Sequence, residues 1–159
     1  KQLSTLKVLG SEPIPTLDKI IAVINGSAQL NIELKGKNTA EGVFNIMKKA
    51  IKSGRWKADQ LFVSSFDWDE LRDFKKLTTE FGIAVLTDKN PLDAIPVARE
   101  LNAFAINPKH SHLTQEIVND IHSEGFEIHT WTVNKKKRIE ELISWKVDGI
   151  ITDFPDMVF

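Results

Sequence analysis

Six segments that read as β-strands alternate with six that read as helices, and nothing interrupts the series between Thr16 and Thr152. The strands are Gln29 to Lys35, Leu61 to Phe66, Ile83 to Leu86, Ala103 to Ile106, Phe126 to Val133 and Gly149 to Thr152. The helical periods run Thr16 to Asn25, Thr39 to Ser53, Asp67 to Phe81, Pro91 to Leu101, Leu113 to Ser123 and Lys135 to Trp145. The later strands are short and mostly apolar, the pattern of a parallel sheet whose crossovers are helices. The alternation therefore predicts a parallel α/β fold, either open and doubly wound or closed as a barrel. Local start signals agree: Asp67 with Glu70 three residues on resembles a capping box, Asn90 precedes Pro91 as an N-cap should, and Asn134 is placed to cap the last long helix.

One strand breaks the apolar pattern. In QLNIELKG, Gln29 to Gly36, a period of two puts Leu30, Ile32 and Leu34 on one face and Asn31, Glu33 and Lys35 on the other. In a closed barrel alternate residues point inward, and the inward residues at the carboxyl ends of the strands floor the active site. A carboxylate and an ammonium there cost desolvation unless something binds them, so a metal or a phosphate is their natural partner. An internal Glu33–Lys35 ion pair is the plain alternative.

With 159 residues, 42% hydrophobic and 27% charged, the chain reads as a single domain, residues 1–159, without a linker or low-complexity tract. A formal net charge of -1 gives no reason to expect a nucleic-acid partner, and no apolar run is long enough to span a bilayer. The absence of cysteine excludes disulfides, thiolate catalysis and Cys-ligated metals. Cysteine usage leaves the compartment open; we read the chain as cytoplasmic rather than periplasmic. It begins at Lys1 rather than Met, so it reads as a mature form or a piece of something longer. No Gly-x-Gly-x-x-Gly or Walker-type loop supplies the phosphate cradle of an open nucleotide-binding sheet.

Five short stretches now carry a family resemblance: IPTL at Ile14 to Leu17, LNIELKG at Leu30 to Gly36, SSF at Ser64 to Phe66, WTVN at Trp131 to Asn134 and DGIITDFPD at Asp148 to Asp156. In this order and spacing the chain resembles the glycerophosphodiester phosphodiesterases over essentially its whole length. Those enzymes are phospholipase-C-like phosphodiesterases built on a TIM (β/α)8 barrel, with a divalent cation, Mg²⁺ or Ca²⁺, and a pair of histidines. By the resemblance Glu33 matches the third carboxylate ligand of the metal, Lys35 the lysine near the phosphate, and Trp131 the aromatic residue at the mouth where glycerol rests. Each role suits its chemistry: hard cations take carboxylate oxygens, a phosphodiester takes a cation, and the C–H face of glycerol packs on an aromatic ring.

The departure is as informative as the match. Family members begin with a strand ending in His-Arg-Gly, a strand carrying Glu-x-Asp and a hairpin ending in His-Asp, and none of these occurs in this chain. Both catalytic histidines and two of the three metal carboxylates are therefore missing, and the resemblance implies about six of the eight βα units. The expectation is an intact parent that hydrolyses glycerophosphodiesters to glycerol 3-phosphate and an alcohol. The chain alone is expected to be inactive, and to need the missing barrel segment or a partner chain to close the fold. The rivals are a truncated, non-catalytic barrel that binds phosphate-bearing ligands or a partner protein, and another phosphate-handling TIM barrel, for which no Gly-rich loop is found.

Other candidates carry bland readings. His110 and His112 form a His-x-His without an assignable third ligand and read as a polar loop. His129 shares a face with Trp131 and reads as a satisfied interior histidine rather than a proton shuttle. His122 is expected on the solvent side. The run Lys135 to Arg138 opens a helix, where cations oppose the macrodipole, and reads as a solvated face helped by Glu140 and Glu141, with a phosphate-binding patch as the sharper alternative. Asp153 is read as a turn cap, and Trp56, Trp68 and Trp145 as packing residues.

Overall fold

The computed structural model describes residues 6–8 and 10–158. Two short strands, β1 (Lys7–Val8) and β2 (Glu12–Pro13), pair antiparallel ahead of helix α1 (Leu17–Ile24). The alternation follows: β3 (Leu30–Glu33), α2 (Ala40–Lys52), β4 (Leu61–Ser65), α3 (Trp68–Leu77), β5 (Gly82–Thr87), α4 (Ile95–Leu101), β6 (Ala105–Pro108), α5 (Gln115–Ser123), β7 (Glu127–Thr130), α6 (Lys136–Ser144) and β8 (Gly149–Ile150). Strands β3 to β8 form one sheet in sequence order, and every neighbouring pair is parallel.

The sheet is curled into a half-barrel. Phe66, just after β4, meets Trp131, just after β7, with ring centroids 5.2 Å apart. In a flat sheet three strand spacings of about 4.8 Å would separate their backbones by roughly 14 Å, too far for such a contact without curvature. The helices cover the convex side. Ile32, Val63, Ile83, Val85, Ile106 and Ile128 of the strands join Met47, Leu71, Phe74, Ala98, Leu101, Val118, Ile121, Ile139 and Leu142 of the helices in one buried core. The opposite residues of the same strands, Glu33, Ser64, Ala84 and Ala105, stand in register across the concave face.

Several elements differ from the sequence reading for physical reasons. The β1–β2 hairpin was not expected, because strands of two residues carry no period. The helix expected to reach Phe81 stops at Leu77, where Thr78 turns extended at φ -162° and ψ 153°. The segment Pro91 to Leu101 divides into a 3-10 turn, Pro91–Ala94, and α4, because Pro96 near the new start has no N–H to continue the earlier helix. Asn90 does cap as expected, accepting from the Leu92 N–H at 3.3 Å. Asn134 does not. Lys135 is the N-cap of α6 without a side-chain bond, and Asn134 instead accepts from Thr152 Oγ1 and the Asp153 N–H, both at 3.0 Å.

The expected Asp67–Glu70 capping box is replaced by a longer connection. Asp67 accepts from the Asp69 N–H at 3.1 Å, so it caps α3 alone. Glu70 is buried and reaches across to the start of α2. There its carboxylate accepts from the N–H groups of Asn38, Thr39 at 3.0 Å and Ala40 at 3.2 Å, and from Thr39 Oγ1 at 3.1 Å. A helix start leaves its first N–H groups without intrahelical partners, and here a side chain from the next βα unit supplies them. Burial alone would raise the Glu70 carboxyl, but the bonds from Asn38, Thr39 and Ala40 outweigh it and hold it below the ordinary carboxylate range.

Glu70→Ala is expected to cost about 2 kcal/mol, from the lost cap and the buried N–H groups left unpaired. Because the folded carboxyl is held low, its contribution is complete above the ordinary carboxylate range and is lost as pH falls through the depressed value. Urea denaturation at pH 7 and at successively lower pH should show the difference between wild type and variant narrowing with acid. Equal stabilities at pH 7 would mean that α2 needs no help from Glu70.

Candidate active site

The charged row anticipated on β3 lies on the concave face. Ile32 and Leu34 are buried among the helices, Glu33 pairs in register with Ser64 of β4, and Lys35 sits just past the strand end. Lys35 Nζ lies 3.3 Å from Glu33 Oε2, with the Lys35 side chain 76% and the Glu33 side chain 31% exposed. The ion pair considered as the plain alternative is therefore present, but it is open to solvent. Exposed pairs contribute little to stability, so this one is not what holds the strand.

Trp131, the third expected residue, closes the same face from β7. Its Nε1 donates to the Asn107 carbonyl oxygen at 2.8 Å, and its ring stands nearly perpendicular to Phe66, at 87°. Phe66 is 45% exposed and forms the other half of an aromatic wall. Beside this wall Ser64 and Asn107 are fully buried, and Ser64 Oγ, Asn107 Oδ1 and Asn107 Nδ2 have no hydrogen-bond partner. Sequence reasoning passed over both as site residues; the available signal was polar side chains at the ends of otherwise apolar strands, Ser64 and Ser65 on β4 and Asn107 on β6.

The other candidates separate by location. His129 lies toward the amino ends of the strands, against the rings of Phe62 and Phe104 at 6.3 and 5.6 Å, with Nε2 3.1 Å from Glu127 Oε2. Gly149 permits this position, since a Cβ there would lie 2.7 Å from the His129 ring. His129 is thus satisfied and removed from the mouth. His122, expected in solvent, is partly exposed and contacts Asp148 at 2.8 Å, while Asp148 also accepts from the Ile128 N–H. Asp153 accepts from Asn134 Nδ2 at 2.7 Å. Trp56 is buried, Trp68 donates to the Leu86 carbonyl at 3.0 Å, and Trp145 lies under the Arg138 guanidinium at 4.7 Å.

His110 and His112 form a 3-10 turn beyond β6. His110 Nδ1 is buried without a partner, and burial together with Arg138, Lys109 and Lys135 holds its pKa below the ordinary histidine value. No group of three His, Cys, Asp or Glu side chains arranged to hold a metal occurs among the described residues. Glu33 offers one hard oxygen donor, and one carboxylate engaged with a lysine does not by itself make a divalent-cation site.

A model of the glycerophosphoryl diester phosphodiesterase family matches residues 1–157. The chain is 32% identical over 147 residues to a glycerophosphodiester phosphodiesterase of Caldanaerobacter subterraneus, covering 91% of this chain and 60% of that protein. It is 32% identical over 156 residues to one from Bacillus altitudinis, covering 92% and 62%. Among solved structures, a glycerophosphodiester phosphodiesterase from Parabacteroides distasonis superposes with a TM-score of 0.81 at 24% identity, over 99% of this chain and 67% of that one. An Oleispira antarctica phosphodiesterase in complex with the product sn-glycerol-3-phosphate superposes with a TM-score of 0.78 at 25% identity, over 91% and 60%. The chain thus spans 60 to 62% of the length of these curated relatives, and its curled α/β sheet is the fold of the TIM-barrel structures it matches.

Because the Glu33–Lys35 pair is largely solvated, Lys35→Met and Glu33→Gln should each change folding stability by less than about 1 kcal/mol. Thermal or urea denaturation of the two variants checks this. A loss of several kcal/mol in either would make the pair a structural element.

Proposed function

The chain belongs to the glycerophosphoryl diester phosphodiesterase family, and from that membership we propose that the intact protein hydrolyses glycerophosphodiesters to glycerol 3-phosphate and an alcohol. The observation that carries the reading is the solvent-accessible Glu33–Lys35 pair at the carboxyl end of β3, on the face walled by Phe66 and Trp131. The relative that holds sn-glycerol-3-phosphate supports the product assignment.

In this reading Glu33 is one ligand of a Mg²⁺ or Ca²⁺ ion whose other carboxylates, with two histidines, come from protein outside this chain. A bound divalent cation would supply electrostatic stabilisation of the phosphoryl oxygens. Lys35 carries a positive charge on a mobile stem and neutralises charge developing on the phosphate. Trp131 presents an apolar ring to the glycerol carbons. The six strands are read as six of eight barrel units. Support comes from the sheet order, which begins at β3 and ends at β8 with no strand beyond either edge among the described residues. Unpaired parallel edges invite a partner, so the missing segment or another chain closes the barrel. The substrate is a small glycerophosphodiester and no nucleic acid is involved. The cytoplasm remains the proposed location; no helix among the described residues is long and apolar enough to cross a membrane.

The test is release of glycerol 3-phosphate from glycerophosphocholine by the full-length protein with Mg²⁺ or Ca²⁺ added. Turnover is expected to disappear in Glu33→Gln together with a weakened metal titration, because affinity for a hard cation depends on several converging oxygens. Full turnover and an unchanged titration in Glu33→Gln would reduce Glu33 to the ion-pair partner of Lys35. Phosphate binding without hydrolysis by the wild-type protein would favour a non-catalytic barrel.

The 159-residue chain alone is expected to release no glycerol 3-phosphate. Among the described residues no group of three acidic or histidine side chains is arranged to hold a metal, and His129, its interior histidine, is engaged by Glu127 toward the amino ends of the strands. EDTA-sensitive activity of the purified chain that is lost in His129→Ala would relocate the catalytic centre.

A further inference from the structure

Lys109 and Lys135, far apart in sequence, both lie near His110, and the Lys109 backbone neighbours Trp131. Lys109, immediately after β6, forms an isolated parallel bridge with Trp131, and the His110 N–H donates to the Trp131 carbonyl at 3.0 Å. Arg138 joins Lys135 to this corner: its N–H donates to the Lys135 carbonyl at 2.9 Å, while its guanidinium donates to the carbonyls of His110 and Leu113. The positive field of Arg138, Lys109 and Lys135 at His110 is consistent with the same convergence.

Arg138 is already engaged. It bonds Glu141 at 2.5 Å and stacks on Trp145, with its side chain only 18% exposed. Lys109 and Lys135 are exposed and take part in none of the salt bridges formed among the described residues. Nearby Asp153 is held by Asn134. Lys135 moreover opens α6, where the helix dipole disfavours a cation and the first turn holds no acid. A chain that keeps unpaired cations in an unfavourable position next to an aromatic wall gains when an anion arrives there.

The wall gives the arrangement a direction. Glu33 and Lys35 stand at the β3 side of the mouth, Phe66 and Trp131 bridge the curled sheet, and Lys109 and Lys135 stand at the β6–β7 side. We propose that Lys109 and Lys135 form a second anion subsite, so that the preferred diester is one whose alcohol portion carries its own phosphate or carboxylate. This rests on the phosphodiester reading above and specifies the leaving group, which Glu33 and Lys35 leave open. The apolar span between the charged ends suits the carbon skeleton that joins two anionic groups.

The experiment uses the full-length protein. Hydrolysis of glycerophosphoglycerol is compared with that of the same diester phosphorylated on its distal glycerol, and binding of propyl phosphate with that of 1,3-propanediol bisphosphate. Wild type is expected to favour the doubly anionic member of each pair by about tenfold at low salt, with the preference shrinking as salt rises. In the Lys109→Gln, Lys135→Gln double variant the ratio should fall close to one, while Lys137→Gln on the same run keeps it. A wild-type ratio near one, or a ratio unaltered in the double variant, overturns the subsite. The binding pair needs no turnover, so a protein that hydrolyses neither diester yet prefers the bisphosphate through these lysines keeps the subsite and loses only the catalytic reading. Attachment to phosphatidylglycerol vesicles through the same lysines, without discrimination between the soluble ligands, would assign the cluster to a membrane surface and overturn the proposal.

Discussion

The register of β3 on β4 is the constraint from which the site follows. The Leu34 N–H donates to the Ser64 carbonyl at 2.8 Å, and Ser65 Oγ donates back to the Leu34 carbonyl at 2.6 Å. With this pairing Ile32 and Leu34 enter the core between sheet and helices, and Glu33 and Lys35 emerge on the concave face. A slip of one residue would invert both sets, burying a carboxylate and an ammonium among Met47, Phe74 and their neighbours and exposing two large aliphatic side chains. That penalty is far larger than any contribution of the exposed ion pair. Placement of the charges is thus a by-product of apolar burial, and the charges themselves remain free to serve a ligand.

Glu70 extends the same logic from the strand to the loop after it. Residues 38–40 begin α2 just beyond Lys35, and their N–H groups are fixed by a carboxylate arriving from α3. Successive βα units are therefore tied at the rim as well as through the sheet. The loop that carries Lys35 is anchored at one end by the β3–β4 ladder and at the other by Glu70. Lys35 thus presents a largely exposed ammonium on an anchored backbone.

How much could be read in the sequence depended on the range of the interaction concerned. The strands and helices of the sheet were legible because their apolar periods are local, and alternation alone put Glu33 and Lys35 on the face opposite Ile32 and Leu34. The β1–β2 hairpin was not, since two-residue strands leave no pattern. Glu70 was misread for a definite reason: Asp67 three residues earlier offers a local capping box, whereas the N–H groups that Glu70 accepts from lie about thirty positions away. Asn134 failed likewise, its side chain being recruited by Thr152 and Asp153 at the end of β8 rather than by its own helix. The burial of the Asn107 amide and the approach of Lys109 to Trp131 exist only once the strands are assembled, and no sequence window contains them.

The two ends of the sheet then differ in how they treat their polar groups. At the amino ends His129 pairs with Glu127, His122 pairs with Asp148, and Phe62 packs on Phe104 at 5.1 Å. Nearer the carboxyl ends Ser64 and Asn107 keep unsatisfied atoms, Lys35 is held only by a solvated pair, and Lys109 and Lys135 lack carboxylate partners among the described residues. Folding free energy is best served where every polar group is matched, and it is sacrificed where they are left open. The buried atoms of Ser64 and Asn107 that no protein group satisfies thus lie toward the carboxyl ends, the side where parallel α/β barrels place their chemistry.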